Sequence, residues 1–339
     1  MGVYGMGRFI PDIVEKLGGE LVAEALMELQ YRFPLTPTPY HDVAERLGIG
    51  VAELLDMLKT LKEKRILKRI GFYLNYRAAR KRAALIAIEA DKPREATRYL
   101  AGVLEVTHSY LRDHPVYNLW VVGKHEDPEK IVEAAQKAAE QYGSGRWLVL
   151  WGEKTLRLSV KYDLEKGVSR AGPLSSVAAN PPKPEDIGYS MALVRALRVL
   201  PLEERPYAVI ANRLGLTEEQ VVAAMREMLE KGILGDPGAA LDGHRLGFVY
   251  NGMVTLAPRD MEQLDMLCQW VVDNVEEATH VVKRSVTPPG SWRHLCYFMV
   301  HAVDQEKVKQ VLRRLENCPY LDDYMVIKSL EDLLPGVIR

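Results

Sequence analysis

Cysteine is scarce in this chain and is not arranged for metal binding or redox chemistry. The sequence has three cysteines in 339 residues, Cys268, Cys296 and Cys318, and no CxxC pair. A small, odd number without that spacing argues against a cysteine zinc site or a redox dithiol. We therefore expect reduced cysteines and a cytoplasmic protein.

The chain also lacks a strong net charge and a long apolar run. The formal charge is −1 and the pI is near 6.7, so neither suggests a nucleic-acid or membrane surface. No stretch reaches the roughly 18 apolar residues of a membrane span. The first five residues lack the basic and apolar regions of a signal peptide. Apolar residues make up 47% of the chain, which at this length suits two to four globular domains.

An internal repeat is the most informative feature that is present. Residues 34–67 and 201–234 match at a constant shift of 167 positions. The matching positions of the first copy are Pro34, Leu35, Pro39, Tyr40, Ala44, Arg46, Leu47, Gly48, Ile66 and Leu67. Chance does not easily give so many identities in one register, so we interpret the chain as a tandem duplication.

Each copy begins with a helix-turn-helix pattern. In the first copy, apolar residues at helical spacing run through 11–31, and a short helix then ends at Leu47-Gly48. A second helix follows over about Val51–Lys64, and Ile66–Tyr73 would form a wing. The helical spacing returns at 190–199 in the second copy.

A small α+β domain follows the helix-turn-helix in each copy, because the apolar period changes toward two and the strand formers increase. Its strands and helices alternate in the order βαββαβ, which is typical of a ferredoxin-like domain. The first copy has predicted strands at Ala83–Glu89, Val106–Leu111, Leu119–Val122 and Trp147–Val160, and helices at Arg94–Val103 and Pro128–Tyr142. The second has strands at Met253–Leu256, His280–Lys283, Cys296–His301 and Tyr324–Ser329, and helices at Met261–Val275 and Gln305–Leu315.

The predicted fold class is therefore α+β, with two tandem copies of a winged helix-turn-helix plus a ferredoxin-like domain. The predicted winged helix-turn-helices cover 11–75 and 189–243, the ferredoxin-like domains 76–166 and 244–339, and a glycine- and proline-rich linker 167–188. Two helices cannot cover both faces of so small a sheet. We therefore expect the uncovered faces of the two copies to pack together as an internal pseudo-dimer, with further homo-oligomerisation left open.

This domain order resembles that of the Lrp/AsnC transcription regulators, which suggests DNA binding, but the charges oppose it. The candidate recognition helices Ile49–Thr60 and Leu216–Met228 carry net charges of −1 and −2, whereas a recognition helix needs basic or amide side chains and a positive surround. The basic cluster at 62–69 could touch phosphate, but a solvated helix end is the favoured interpretation. We expect no DNA binding.

The unusual polar segment is 107–120 in the first copy. His108, Tyr110 and Arg112 alternate along one predicted strand, so their side chains share one face. Arg112 suits a carboxylate, and His108 and His114 can hold or deliver a proton near neutral pH. A row packed at a domain interface is the alternative. Candidate substrate contacts nearby are Tyr117, Asn118 and Trp120.

The matching segment of the second copy has diverged. It keeps His280 and adds Arg284, and Val282 stands where the first copy has Tyr110. Trp292, Arg293 and His294 are further candidate substrate contacts. One asymmetric site or two unequal sites are both compatible with this pattern. His301 lies on a predicted strand and is interpreted as an interior histidine.

At these residues the chain resembles the siroheme decarboxylases, with the two subunits, of the NirD and NirL type, fused end to end. The resemblance covers residues 20–335. It rests on segments shared with the family at Phe33-Pro34-Leu35, Pro39-Tyr40, Arg69-Ile70-Gly71, 107–120, Arg205-Pro206-Tyr207, Leu246-Gly247-Phe248, 251–254 and 299–302. The family pattern has Cys-Tyr before Arg284 and Tyr-Asn-Leu at 293–295, and this chain departs from it at both places.

The resemblance implies an enzyme that removes the C12 and C18 acetate carboxyls of siroheme, giving 12,18-didecarboxysiroheme for alternative heme or heme d1 synthesis. It implies no cofactor beyond the iron tetrapyrrole substrate and no dedicated metal site. We assign His108 and His114 as candidate acids, Arg112 as the group that orients the acetate, and Tyr110 as a desolvating neighbour. His108 or His280 could instead bind the siroheme iron.

Two other functions remain open from the sequence. One is a transcription regulator of the Lrp/AsnC type that senses heme or an amino acid, and it requires DNA binding. The other is a non-catalytic heme-binding module, which requires pigment binding without a chemical change of siroheme.

Overall fold

The computed structural model describes residues 8–335, so the last four residues of the predicted domain 244–339 lie outside the described part. The chain divides into two compact units that each combine parts of both copies. Unit 1 comprises Met1–Ala78, Leu158–Tyr250 and His301–Gln310, and unit 2 comprises Ala79–Arg157, Asn251–Val300 and Val311–Arg339. Like domains are thus grouped together: the helix-turn-helices in unit 1 and the ferredoxin-like domains in unit 2.

The helices and strands follow the predicted order in both copies. The helices are α1 (Pro11–Leu17), α2 (Glu20–Tyr31), α3 (Pro39–Leu47), α4 (Val51–Glu63), α5 (Pro93–Val103), α6 (Pro128–Tyr142), α7 (Met191–Arg198), α8 (Pro206–Leu214), α9 (Glu218–Glu230), α10 (Gly243–Leu246), α11 (Leu264–Asn274) and α12 (Gln305–Leu315). The strands are β1 (Leu67–Leu74), β2 (Arg82–Ala90), β3 (Glu105–Arg112), β4 (Leu119–His125), β5 (Gly143–Leu158), β6 (Tyr162–Asp163), β7 (Val168–Ser169), β8 (Leu234–Leu241), β9 (Tyr250–Pro258), β10 (His280–Thr287), β11 (Cys296–Ala302) and β12 (Leu321–Asp332).

The two helix-turn-helices of unit 1 are built alike. Proline opens α3 and α8, where its missing N–H costs nothing, and each helix ends at a glycine in the left-handed region, Gly48 or Gly215. Tyr40 and Tyr207 are fully buried at equivalent positions in the core of this unit. The predicted continuous helical pattern over 11–31 is interrupted, because Gly18 adopts φ +89° and ends α1.

The predicted wing does not form a hairpin of its own. Instead β1 of the first copy pairs antiparallel with β8 of the second copy. The basic residues beside this strand are partly engaged, since Arg69 donates to the Arg198 carbonyl at 3.3 Å and Lys68 lies 3.8 Å from Asp242. The strand lies where the wing was predicted, but its partner in the other copy is not visible in local sequence patterns.

The start of the predicted linker is packed rather than solvated. Val168 and Ser169 of the linker form β7, which is buried and pairs with β6 of the preceding domain. Tyr162 and Leu164, just before the linker, join the core of unit 1. Lys161 is buried there, with its ammonium 3.1 Å from Asp236 and 2.7 Å from the Pro237 carbonyl. The predicted interior histidine His301 has its ring 5.8 Å from that of Tyr162.

Unit 2 contains a closed sheet to which both ferredoxin-like copies contribute. Its strands follow the order β10-β5-β2-β4-β3-β12-β9-β11, and β11 pairs again with β10. One face of β2 and β4 packs on α5 and α6 through an apolar core that includes Ile86, Val121 and Ile131. The expected pseudo-dimer is therefore present within this unit, and the faces that the helices leave uncovered point into the closed sheet.

Two cysteines correct the expectation that all three are reduced. Cys268 of α11 and Cys296 of β11 form a disulfide, with Cα atoms 5.7 Å apart. The residues are 28 positions apart in sequence, and their proximity arises only when α11 packs onto the sheet. Cys318 is a buried free thiol.

Within residues 8–335, no helix combines the length and the apolar character that crossing a membrane requires.

Candidate functional site

The row predicted on β3 lies on one face of the sheet in unit 2. The rings of His108 and Tyr110 are 6.2 Å apart, and the Arg112 guanidinium carbon lies 5.0 Å from the Tyr110 ring centre. Alternation along a strand places these three side chains together, as the sequence predicted. Trp120 faces Tyr110 from the neighbouring strand β4.

Arg112 is a buried cation whose N–H groups find only some of the hydrogen-bond acceptors that they need within the described residues. It is 6% exposed, and its Nη1 donates to the Ile327 carbonyl of β12 at 3.1 Å. Its Nε finds no hydrogen-bond acceptor among the residues that the structure describes. Burial lowers the pKa of Arg112 to about 10, so the group still carries its charge at neutral pH. Burying a charged N–H without an acceptor costs free energy, and the carboxylate of a ligand would supply the acceptor.

Arg284 occupies the equivalent place in the second copy. Its guanidinium carbon lies 4.9 Å from the ring centre of Tyr297, and its Nη1 donates to the Leu150 carbonyl of β5 at 3.1 Å. Tyr297 is on β11 and faces Val282 across the strand pair. The sequence analysis missed Tyr297, because its place beside Arg284 depends on the register between β10 and β11.

A threonine precedes each of the two equivalent histidines and contacts its ring. Nδ1 of His108 is 3.0 Å from the Thr107 hydroxyl, and Nδ1 of His280 is 3.1 Å from the Thr279 hydroxyl. The Thr279 hydroxyl also lies 3.3 Å from the Met299 carbonyl oxygen, to which it can donate. Burial, together with the nearby Arg284, lowers the pKa of His280 to about 4. His280 is therefore neutral at neutral pH.

His114 lies apart from the β3 row, in a cluster of aromatic rings. Its ring is 5.5 Å from that of Trp292 and 6.2 Å from that of Trp120, and Trp292 is 5.5 Å from His294. Nδ1 of His114 accepts hydrogen bonds from the backbone of Val116 and Tyr117. Burial lowers the pKa of His114, which favours a neutral ring. The cluster joins first-copy and second-copy residues, and Trp120 links it to the β3 row.

Several predicted substrate contacts have hydrogen bonds or ion pairs within the protein. Both amide atoms of Asn118 bond the backbone of Ala90, at 2.8 and 2.9 Å. Trp120 is 1% exposed and donates its indole N–H to the Tyr117 carbonyl. Arg293 forms an ion pair with Asp322, and His294 lies 3.1 Å from Asp323. Their contact with substrate stays a prediction.

Further polar atoms on the same face were missed by the sequence analysis. Ser329 of β12 faces Arg112 directly, and Thr255 of β9 is completely buried. Their hydroxyls, and the amide oxygen of Asn251, have no hydrogen-bond partner among the described residues. Single polar residues within apolar strands give no signal in a sequence, so they emerge only from the structure. Among residues 8–335, no group of His, Cys, Asp or Glu side chains is arranged to hold a metal ion.

Two family models match the chain, each of them twice. One is described as an AsnC-like ligand binding domain and matches residues 80–157 and 245–333. The other is described as a siroheme decarboxylase NirDL-like HTH domain and matches residues 23–67 and 193–234. Both repeats of the chain are thus found independently of the internal comparison.

Two curated relatives of this chain are named as a siroheme decarboxylase or one of its subunits. A siroheme decarboxylase of Hydrogenobacter thermophilus is 24% identical over 308 residues, which are 90% of each chain. A siroheme decarboxylase beta subunit of Oleidesulfovibrio alaskensis is 31% identical over 134 residues, which are 40% of this chain and 83% of that subunit. A crystal structure of the siroheme decarboxylase NirDL has the same fold, with a TM-score of 0.62, 22% identity, and coverage of 92% of this chain and 91% of that one. A second crystal structure of NirDL, with a TM-score of 0.61, is in complex with an iron-uroporphyrin III analogue.

Proposed function

The chain belongs to the siroheme decarboxylase family, and from this premise we propose that it removes the C12 and C18 acetate carboxyls of siroheme, as a carboxy-lyase. The product would be 12,18-didecarboxysiroheme. The observation that carries the proposal is Arg112, a buried guanidinium on the inner sheet face with an N–H that lacks an acceptor among the described residues. An ionised acetate is the group that such a site binds.

The reaction at each acetate needs one bond broken and one proton delivered. The bond between the side-chain methylene and the carboxylate carbon breaks, and CO₂ leaves. The electron pair stays on the methylene carbon, where the conjugated ring can spread it, and a proton converts that carbon to a methyl group. Arg112 orients the carboxylate. The Tyr110 ring beside it keeps water away from the carboxylate, whose negative charge disappears when CO₂ leaves.

The two histidines suit different roles in this chemistry. His280, which is neutral at neutral pH, fits a ligand for the iron of the substrate better than a proton donor. His108 lies beside the Tyr110 and Arg112 pair, so we assign it the proton transfer to the new methyl group. His114 would contribute to the aromatic wall of the site. No cofactor beyond the iron tetrapyrrole substrate is required by this scheme.

Replacement of Arg112 tests the proposal at its main residue. We expect Arg112→Ala to lower siroheme turnover roughly 100-fold or more, because an oriented charge that stabilises the reacting group is removed. Turnover is measured anaerobically as the change in tetrapyrrole mass, and thermal unfolding checks the fold. Arg98→Ala, an exposed arginine of the same unit, is the matched control and should keep full activity. Wild-type turnover by Arg112→Ala would refute the assignment.

A further inference from the structure

The second half of the chain contains an arginine–tyrosine pair that is not apparent from its sequence. Val282 stands where the first copy has Tyr110, which would leave Arg284 without an aromatic neighbour on its own strand. The structure nevertheless places a tyrosine ring 4.9 Å from the Arg284 guanidinium, against 5.0 Å in the first copy. We infer that Tyr297 replaces Tyr110 in the second half, so that Arg284 and Tyr297 form a second carboxylate-binding pair that serves one of two decarboxylations. This inference rests on the proposed function.

The two arginines are held in the same way, which makes the two pairs comparable. Nη1 of Arg112 donates to the Ile327 carbonyl on β12, and Nη1 of Arg284 donates to the Leu150 carbonyl on β5, each at 3.1 Å. The acceptor strand belongs in each case to the other copy. Both guanidinium groups are therefore held by a backbone carbonyl of the closed sheet, at the same distance and from a strand of the other copy.

The tyrosine has changed strands but not its place beside the arginine. In the first copy Tyr110 is on the arginine's own strand and faces Trp120 on β4. In the second copy the facing pair is Val282 and Tyr297, so the tyrosine is the member on the neighbouring strand. The side chain of valine is short, which leaves the space over the guanidinium to the Tyr297 ring.

Tyr297 also has the chemistry that a carboxylate partner needs. It is 3% exposed, and burial raises the pKa of its hydroxyl, which stays protonated and can donate a hydrogen bond. A ring packed over a guanidinium restricts its motion and excludes water from it. At an acetate held by Arg284 and Tyr297, the bond between the methylene and the carboxylate carbon would break and CO₂ would leave. The electron pair left on the methylene carbon would take up a proton from the Tyr297 hydroxyl, which water then restores.

The test compares the two tyrosines in one assay, after wild-type protein has been shown to remove two CO₂ from siroheme. We expect Tyr297→Leu to slow one of the two losses roughly 10-fold, so that a singly decarboxylated tetrapyrrole accumulates. Tyr110→Leu should make the other isomer accumulate, and chromatography separates the two. Tyr297→Phe, which keeps the ring, should affect the same step with little change in KM.

A rescue variant separates a positioning role from a structural one. Val282→Tyr combined with Tyr297→Trp recreates the facing pair of the first copy and should restore the slow step at least partly. If Tyr297→Leu does not fold, Tyr297→Phe and the rescue variant decide the question. Two CO₂ lost at wild-type rates by Tyr297→Leu or Tyr297→Phe, or equal slowing of both losses, would overturn the inference. Unchanged siroheme with wild-type protein would instead overturn the proposed function.

Discussion

Single residues show both the success and the limit of sequence reasoning about this site. His108, Tyr110 and Arg112 could be placed on one face because strand alternation is local. Tyr297 could not be paired with Arg284, because that contact depends on the register of two strands. Asn118 looked like a ligand contact by composition, yet its amide is used to bond the Ala90 backbone.

His280 should make the stability of the protein depend on pH. Its pKa is about 4 in the folded protein and near 6.5 when unfolded, so its stabilising contribution is complete above pH 6.5 and is lost as the pH falls toward 4. Between pH 7.5 and 5 we expect a loss of about 2 kcal/mol in unfolding free energy from this group. In urea unfolding over this pH range, His280→Gln should lose about 2 kcal/mol less unfolding free energy than the wild type. His244→Gln, at an exposed position, should lose as much as the wild type. An unchanged loss in His280→Gln would contradict this.

Helices and strands were predicted best where the local pattern was strong. Helices α6 and α12 begin and end where the sequence placed them, since each is bounded by clear signals and is strongly amphipathic. Strand β1 lies where the sequence placed the wing of the first copy, but its partner β8 in the other copy could not be predicted from a local pattern. The pairing with β8 occupies one edge of the strand that the sequence assigned to the wing.

Gly71 makes the close packing of β1 against the end of α7 testable. Its φ is +152°, and a side-chain carbon there would lie 2.4 Å from the Arg198 carbonyl oxygen in the same unit. Gly71→Ala should therefore destabilise the protein by roughly 2 kcal/mol or more, measured by urea unfolding. Gly235→Ala, in the paired strand with open space around it, should change stability by less than about 0.5 kcal/mol. Equal effects of the two variants would argue against this geometry.

At the scale of the whole molecule, the duplication explains why the site is composite. In the closed sheet of unit 2, each copy supplies a backbone carbonyl that accepts a hydrogen bond from the arginine of the other copy. Neither copy alone therefore contains both the arginine and its acceptor. The sequence predicted the pseudo-dimer from the size of the sheet. The strand order that closes the sheet required the structure, because contacts between distant segments leave no local pattern.

The most direct test of the account is the mass of siroheme after anaerobic incubation with the purified wild-type protein. The account predicts a tetrapyrrole that has lost two CO₂ units, with a singly decarboxylated species as the only intermediate. An unchanged mass, with the pigment nevertheless bound to the protein, would contradict the decarboxylase function and indicate a carrier or sensor of iron tetrapyrroles.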